Sequence, residues 1–385
     1  MRTIWARRTL ALALCATLLL ATVPASAFAF APPKVGAPAA TLTTENDLRL
    51  WSRKSTTKRA VASTIKMLNA LVVRDYASLD ETVTVTRKAA AINDGDVGLK
   101  TGQQLTVRQL LDIMLVASAN DAAEALAIHI AGSESAYVGL MNAKAKQLGL
   151  TCTHATDPHG LSKKERSTAH DLAILARVVT ADPVLASVVK KKSVMVPRTG
   201  GKKAVKYRST NHLLGVNGVK RYEGIEGVKT GYTRKAGFCL VSTATRYNSA
   251  GEKVRLVGVV MGAPRNNGAG GRFDQMRKLL DWGFKHTHYK TLASTESTFA
   301  VPVSDPTTTT VVVAKPEWKV RTLLLDGTAI TNTIVSETPV LLPPVPGKQV
   351  GLLRIAAAGK ALRTVPLIAT GEVSTPATTT PAPTP

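Results

Sequence analysis

The 385-residue chain carries a formal charge of +24, from 50 Lys and Arg against 26 Asp and Glu, and it has only three cysteines. Its length suggests roughly two domains, and its basic surplus points to nucleic acid, an anionic membrane or an anionic wall polymer as a partner. Outside the N-terminal segment only Cys152 and Cys239 remain, too few for a disulfide framework and silent on whether they pair.

Residues 1–27 read as a secretory signal peptide. Arg2, Arg7 and Arg8 precede an apolar stretch, Thr9 to Val23, and Ala25-Ser26-Ala27 supplies a small-residue cleavage site. The stretch is shorter than the ~20 residues a membrane span needs, although a retained anchor stays open as the alternative. Export removes most of the case for nucleic acid, which is not expected as a partner.

Next, residues 39–51 alternate enough for an initial strand, and helical patterns then dominate through Arg177. Within them Ser63-Thr64-Ile65-Lys66 opens an apolar stripe of Ile65, Met67, Leu68, Leu71 and Val72, placing a lysine one turn after a serine on the same helix face. Ser55-Thr56-Thr57-Lys58 and Ser187-Val188-Val189-Lys190 have the same spelling. Charge surrounds Ser55, and no apolar stripe begins there. A serine hydroxyl needs a base to become a nucleophile, and Lys66 is the candidate, provided burial and a nearby cation such as Lys229 lower its pKa. The Ser63 backbone N–H would face the developing oxyanion. Taken alone, Ser63 reads more readily as a helix N-cap than as a nucleophile.

Helices are expected over Leu110 to Val116, Ala122 to Ile130 and Ala136 to Leu148, with Lys100-Thr101-Gly102 before them as a turn. Ser118-Ala119-Asn120-Asp121 lies between two of these runs. Ser118 and Asp121 spell a capping box. In a catalytic setting Ser118 would relay a proton between Lys66 and the leaving nitrogen, and Asn120 would hydrogen-bond the substrate amide. Asp157-Pro158-His159-Gly160-Leu161 resembles a shaped loop with a structural His159, followed by Glu165, the nearest candidate for a second catalytic carboxylate.

Lys190 to Arg208 is the densest basic stretch, either a solvated hairpin or a polymer-binding patch. Ser209-Thr210-Asn211 is a second Ser-x-Asn. Strand patterns then take over. Lys229-Thr230-Gly231 sits at a strand margin, where charge and hydroxyl could hold a substrate carboxylate and Gly231 could admit an extended peptide. Gly237 to Thr245 and Lys253 to Met261, joined by Asn248-Ser249-Ala250-Gly251, read as a hairpin, and Arg272 to Phe284 as a helix returning onto the sheet. His286-Thr287-His288 lacks a third ligand at metal-site spacing, so neither metal nor cofactor is expected.

The fold expected is α/β: helices flanking an antiparallel sheet over 39–288, then a small all-β domain over 296–372. Short β-prone runs at Thr298 to Val303, Thr309 to Ala314, Lys319 to Leu325, Thr331 to Ser336 and Gly351 to Ala356 support the second domain, which reads as a spacer or docking module. Residues 374–385, all Thr, Pro, Ala and Ser, are expected to be disordered.

The serine–lysine pair, the Ser-x-Asn and the Lys-Thr-Gly, in this order, are the pattern of lysine-activated serine acyl-transfer enzymes. From about Ala39 to His288 the chain resembles the low-molecular-weight penicillin-binding proteins, the serine D-alanyl-D-alanine carboxypeptidases related to penicillin-binding protein 5. Beyond the triplets, Leu105-Thr106-Val107-Arg108-Gln109-Leu110-Leu111, His159-Gly160-Leu161, Ser167-Thr168-Ala169 and Gly227-Val228-Lys229-Thr230-Gly231-Tyr232-Thr233 carry the likeness. The resemblance implies a penicilloyl-serine-transferase fold, removal of the terminal D-alanine from peptidoglycan stem pentapeptides, and covalent inhibition by β-lactams. It also implies Tyr232 as the second oxyanion N–H and Arg272 as a partner for the substrate carboxylate. Val61-Ala62 stands where the family usually has Pro-Ala, and the Thr/Pro tail stands where many members carry an amphipathic membrane helix. A D,D-endopeptidase on the same fold, a β-lactamase and a non-catalytic wall-binding protein are the alternatives.

Overall fold

The computed structural model describes residues 31–374, apart from 266–269, 303–309, 337–339 and 341. The expected signal peptide and all but Ser374 of the Thr/Pro tail lie outside the described residues. The first unit is built on a five-stranded antiparallel sheet of β1 (Ala39–Thr44), β2 (Arg49–Arg53), β3 (Lys229–Thr233), β4 (Gly237–Tyr247) and β5 (Lys253–Ala263), in the order β2-β1-β5-β4-β3. The expected initial strand is thus a hairpin, turning at Glu45–Leu48.

Side chains alternate along these strands, and both faces are covered. Ala39, Cys239, Val241, Val257, Val259 and Met261 face the larger helical cluster. That cluster includes α1 (Lys66–Tyr76), α2 (Asn120–Ala131) and α3 (Ala169–Ala181), which contribute residues such as Leu68, Leu126 and Leu172. Ala40, Leu42, Leu240, Leu256 and Val260 face α4 (Arg272–His286), packing on Met276, Leu279 and Leu280. Double coverage explains why β1 is buried at every position and why β4 and β5 read as apolar runs. Two glycines let α4 lie close. A Cβ at Gly258 would stand 2.5 Å from the Met276 sulfur, and one at Gly283 would stand 2.6 Å from both Leu42 and Leu256.

Immediately after α4 the chain enters β6 (Thr287–Ala293), which pairs with β9 (Val320–Leu325). A second antiparallel sheet is formed by β7 (Phe299–Pro302), β8 (Val311–Pro316), β10 (Ile330–Ser336), β11 (Gln349–Ala357) and β12 (Lys360–Ser374), in the order β7-β8-β12-β11-β10. Its own core comprises Val312, Leu353, Ile355, Val365 and Leu367 among others. Leu323 and Leu325 of β9 instead join the α4 cluster, and Lys360 reaches Asp47 at 3.3 Å.

Candidate active site

Ser63 lies in a 3-10 turn, Ala62–Ile65, that leads into α1. Ala62 takes a left-handed φ of +50°, and the Thr64 hydroxyl donates to the Val61 carbonyl at 2.8 Å, so the chain turns sharply at the serine. No side chain caps this turn or α1. The Ser63 hydroxyl faces Lys66 instead, with Nζ to Oγ at 2.9 Å. Lys66 is fully buried, and its Nζ also donates to Asn120 Oδ1 and, at 2.8 Å, to the His159 carbonyl. These three acceptors match the three N–H groups of an ammonium. In the neutral amine the Ser63 contact reverses, and the hydroxyl donates to the nitrogen lone pair. Of the look-alike motifs, Ser187 donates to its own helix at Val184, and Lys100-Thr101-Gly102 is a turn with Gly102 at φ +80°.

The second motif departs from the capping box expected of it. Val107–Asp112 is α-helical, but Ile113–Ala117 widens to a π-turn and delivers Ser118 at φ +65°. Ala119, not Ser118, precedes α2 as N-cap, with no side-chain bond. A left-handed residue cannot take the extended conformation a capping serine needs, and Ser118 Oγ is left to accept from Lys229 Nζ at 2.7 Å. Asp121 accepts main-chain N–H bonds from Leu99 and Val97 at 3.0 and 3.2 Å, fixing the loop before it. Asn120 donates to the Asp94 carbonyl through Nδ2 and accepts from Lys66 through Oδ1, so its amide is fixed between loop and lysine.

The third motif forms β3, an end strand of the sheet. Lys229 is buried, with Nζ also donating to the Thr230 carbonyl at 3.1 Å. Gly231 is where β3 passes the nucleophile: a Cβ there would stand 2.7 Å from the Val61 carbonyl oxygen and 3.2 Å from the Ser63 nitrogen. Arg272 opens α4, donating through Nη1 to the Gly231 carbonyl at 3.1 Å, with Phe238 and Phe273 against its guanidinium at 5.1 and 4.8 Å. The half-exposed Tyr232 stacks on Phe238 at 4.3 Å.

Burial pushes the Lys66 pKa down to about 7, against a partial upward pull from Asp157 and Glu165. Burial, then the charges of Lys66 and Arg272, hold Lys229 well below the ordinary lysine range. Lys229 was expected to supply the cation that depresses Lys66, but burial is the main cause, and Lys229 is itself driven toward the neutral amine. Burial also lowers Arg272, to about 10, so it remains the cation of the group at neutral pH. Behind the lysine, Asp157 accepts N–H bonds from His159 at 2.9 Å and Ser162 at 2.6 Å and lies 3.0 Å from the His159 ring. Burial alone would raise Asp157, but the His159 imidazole and the main-chain N–H groups of Gly160 and His159 outweigh it and hold the carboxyl well below its usual range. Glu165 is buried, and that burial raises its pKa well above the usual value.

Ser63, Ser118, Asn120, Thr230, Gly231, Tyr232 and Arg272 line one cleft of about 910 Å³, with Lys66 and Lys229 buried behind it. All nine residues singled out in the sequence therefore meet. The carboxylates lining the cleft are Asp94 and Asp96, whereas Glu165 is not among its walls. Sequence reasoning missed Thr210, which sits in the passed-over Ser209-Thr210-Asn211. Its hydroxyl lies 2.5 Å from that of Thr230. The His159 carbonyl was also missed, because a main-chain acceptor leaves no mark in residue type. Cys152 and Cys239 are free thiols, and among the described residues no group of three His, Cys, Asp or Glu is placed to hold a metal ion.

A family model described as D-alanyl-D-alanine carboxypeptidase, peptidase family S11, matches residues 26–265. The chain is 40% identical over 226 residues to the D-alanyl-D-alanine carboxypeptidase DacB2 of Mycobacterium tuberculosis, covering 58% of this chain and 73% of that protein. It is 31% identical over 264 residues to DacF of Bacillus subtilis, covering 63% of this chain and 61% of that one. Among solved structures, penicillin-binding protein 5 of Haemophilus influenzae superposes with a TM-score of 0.67 at 26% identity, covering 89% of this chain and 99% of the other.

Proposed function

The chain belongs to the D-alanyl-D-alanine carboxypeptidase family of serine peptidases, and from that premise we propose that it removes the terminal D-alanine of peptidoglycan stem pentapeptides through an acyl-enzyme on Ser63. The observation that carries this is the 2.9 Å contact between Ser63 Oγ and a fully buried Lys66 whose pKa is lowered to about 7. Neutral Lys66 takes the hydroxyl proton as Oγ attacks the carbonyl carbon between the two D-alanines. The Ser63 and Tyr232 backbone N–H groups stabilise the oxyanion. Ser118, bonded to Lys229, passes a proton to the departing nitrogen, the C–N bond breaks, and D-alanine leaves. Water then attacks the ester and restores the serine. Asn120 positions Lys66 and meets the substrate amide, and Gly231 leaves room for the peptide beside the nucleophile.

At neutral pH the substrate carboxylate meets Arg272 as a formal cation, with the Thr230 hydroxyl alongside. Lys229 acquires a proton as that carboxylate arrives, because an adjacent anion favours the ammonium. Glu165, buried, driven toward the neutral acid and outside the cleft, is unsuited to activating a deacylating water, which weighs against the β-lactamase reading.

As a family member the chain acts on peptidoglycan peptides and takes β-lactams as covalent inhibitors. Export through the 1–27 signal would deliver it to the wall, and its basic surface suits anionic wall polymers or a membrane surface there. The catalytic unit over 39–288 would carry the reaction and the β-rich unit over 296–372 would act as spacer or docking module. The test is release of free D-alanine from a defined pentapeptide, compared with cleavage of a cross-linked dimer. Faster turnover of the dimer would favour the endopeptidase, and no release from either would overturn the proposal.

A further inference from the structure

Between Asp182 and Glu223 the chain has ten Lys and Arg and not one Asp or Glu. The structure divides these cations. Lys190 and Lys191 pair with Glu226 and Asp112, and Arg198 turns inward, donating to the Val97 and Gly98 carbonyls at 2.9 and 3.2 Å. Lys202, Lys203, Lys206, Arg208, Lys220 and Arg221 are exposed and, among the described residues, enter no ion pair. The acids that border them are engaged elsewhere: Glu226 also pairs with Arg255 at 2.8 Å, and Glu223 faces Arg246.

Local structure lines the six cations up. Ser193–Val196 and Val205–Arg208 form a hairpin that sets Val194 opposite Tyr207 and Met195 opposite Lys206. Successive strand side chains point to opposite faces. Tyr207 therefore turns in, its hydroxyl donating to the Val97 carbonyl at 3.1 Å, while Lys206 and Arg208 turn out, ~7 Å apart. Arg208 Nη1 donates to Asn217 Oδ1 at 3.4 Å, which sets the loop of Lys220 and Arg221 beside the strand. That loop is anchored at its end, where the Tyr222 N–H donates to the Leu213 carbonyl at 2.9 Å and Arg277 of α4 donates to the Lys220 carbonyl at 2.6 Å. Tyr207 and Thr210 line the catalytic cleft, so the outward row runs beside the cleft and leaves it open.

Deepening the reading of the basic surface as a wall contact, we propose that this row binds an anionic wall polymer whose backbone carries a phosphate at each repeat. Cations spread along a strand and a neighbouring loop suit a chain of repeated charges better than a single anion, and Lys and Arg are the side chains that meet phosphate. A bilayer contact would call for aromatic anchors or a broad apolar face. Here Tyr207 and Tyr222 turn inward, and the large apolar side chains the hairpin exposes are Met195 and Val205. A polymer held on this row keeps the open cleft near the stem peptides of the wall and raises their effective concentration.

Fluorescently labelled poly(glycerol phosphate), followed by anisotropy with the full chain, tests this. Binding at about 50 mM salt should weaken at least ~10-fold by about 200 mM, as counterions compete for the phosphates. Lys206→Glu/Arg208→Glu and, on a separate loop, Lys220→Glu/Arg221→Glu should each weaken binding at least ~10-fold at constant salt. Lys319→Glu/Arg354→Glu changes the net charge equally in the β-rich unit and should weaken it less than ~2-fold. Acylation of Ser63 by a penicillin should keep its rate in all three variants, which also reports their fold. No binding to the polymer at low salt, equal losses in the three variants, or tighter binding to phosphatidylglycerol vesicles than to the polymer would overturn the proposal. Failure of the unsubstituted protein to react with penicillin or to release D-alanine would instead overturn the carboxypeptidase reading and leave the binding result standing.

Discussion

If Lys66 is the base that opens Ser63, the rate of acylation must follow the fraction of Lys66 that is neutral. With its pKa lowered to about 7 from the ordinary 10.5, about half of the molecules hold a neutral amine at pH 7. An unshifted lysine would supply only about 3 in 10⁴, so burial makes the base about a thousandfold more available. Below pH 7 the neutral fraction, and with it the acylation rate, should drop about tenfold per pH unit, to about one hundredth at pH 5. Above pH 7 only about a twofold gain remains. Stopped-flow acylation by a fluorescent penicillin, read as the second-order rate constant from pH 5 to 10, measures this directly. A rate still climbing tenfold per unit at pH 9 would mean that Lys66 is not depressed, and a flat profile down to pH 5 would mean that it is not the base. The same shift affects stability. Between pH 7 and 10.5 the unfolded chain holds a proton on Lys66 that the native chain has released, so the contribution of this group to stability rises with pH across that window.

Gly231→Ala places a methyl 2.7 Å from the Val61 carbonyl oxygen, forcing β3 away from the nucleophile turn. Acylation should slow by at least ~10-fold, the scale set by misplaced reacting groups, while the melting temperature drops by a few degrees; an unaltered acylation rate would show that β3 can shift without consequence. Arg272→Ala should weaken turnover of a free-carboxylate peptide about 10- to 100-fold, the loss of a charge-assisted contact, and weaken turnover of the matching amide far less. Equal losses on the two substrates would mean that Arg272 acts by bracing Gly231 and Phe238 instead.

The parts of this molecule that were legible are those whose chemistry demands a residue type. A nucleophile with lysine one turn on, a Ser-x-Asn between helices and a Lys-Thr-Gly before an apolar strand could be picked out among their look-alikes, because an apolar stripe or a strand followed only one of each. β4 and β5 were legible because burial on both faces leaves largely apolar stretches, Phe238 to Val241 and Leu256 to Met261, around a short polar turn. What escaped notice was set by backbone shape. The π-turn at Ile113–Ala117 and the left-handed Ser118 convert an apparent capping box into a hydroxyl aimed at Lys229. The third acceptor of Lys66 is a main-chain carbonyl. The hairpin partner of β1 was hidden, because β2 mixes Arg49, Ser52 and Arg53 with only one buried side chain, Leu50. β12 was not anticipated either, since Pro366 and Gly371 lie inside it and both residues ordinarily break a strand pattern. Thr210 is visible only once the fold brings it against Thr230.

The central claim is that Ser63 forms the covalent bond and Lys66 makes it possible. Incubation with a penicillin followed by peptide mass mapping should find the adduct on the peptide containing Ser63. Ser63→Ala should abolish it, and Lys66→Ala should slow its formation by about 10² to 10⁴ with the fold intact by circular dichroism. An adduct on Ser55 or Ser187, or normal acylation without Lys66, would contradict the account.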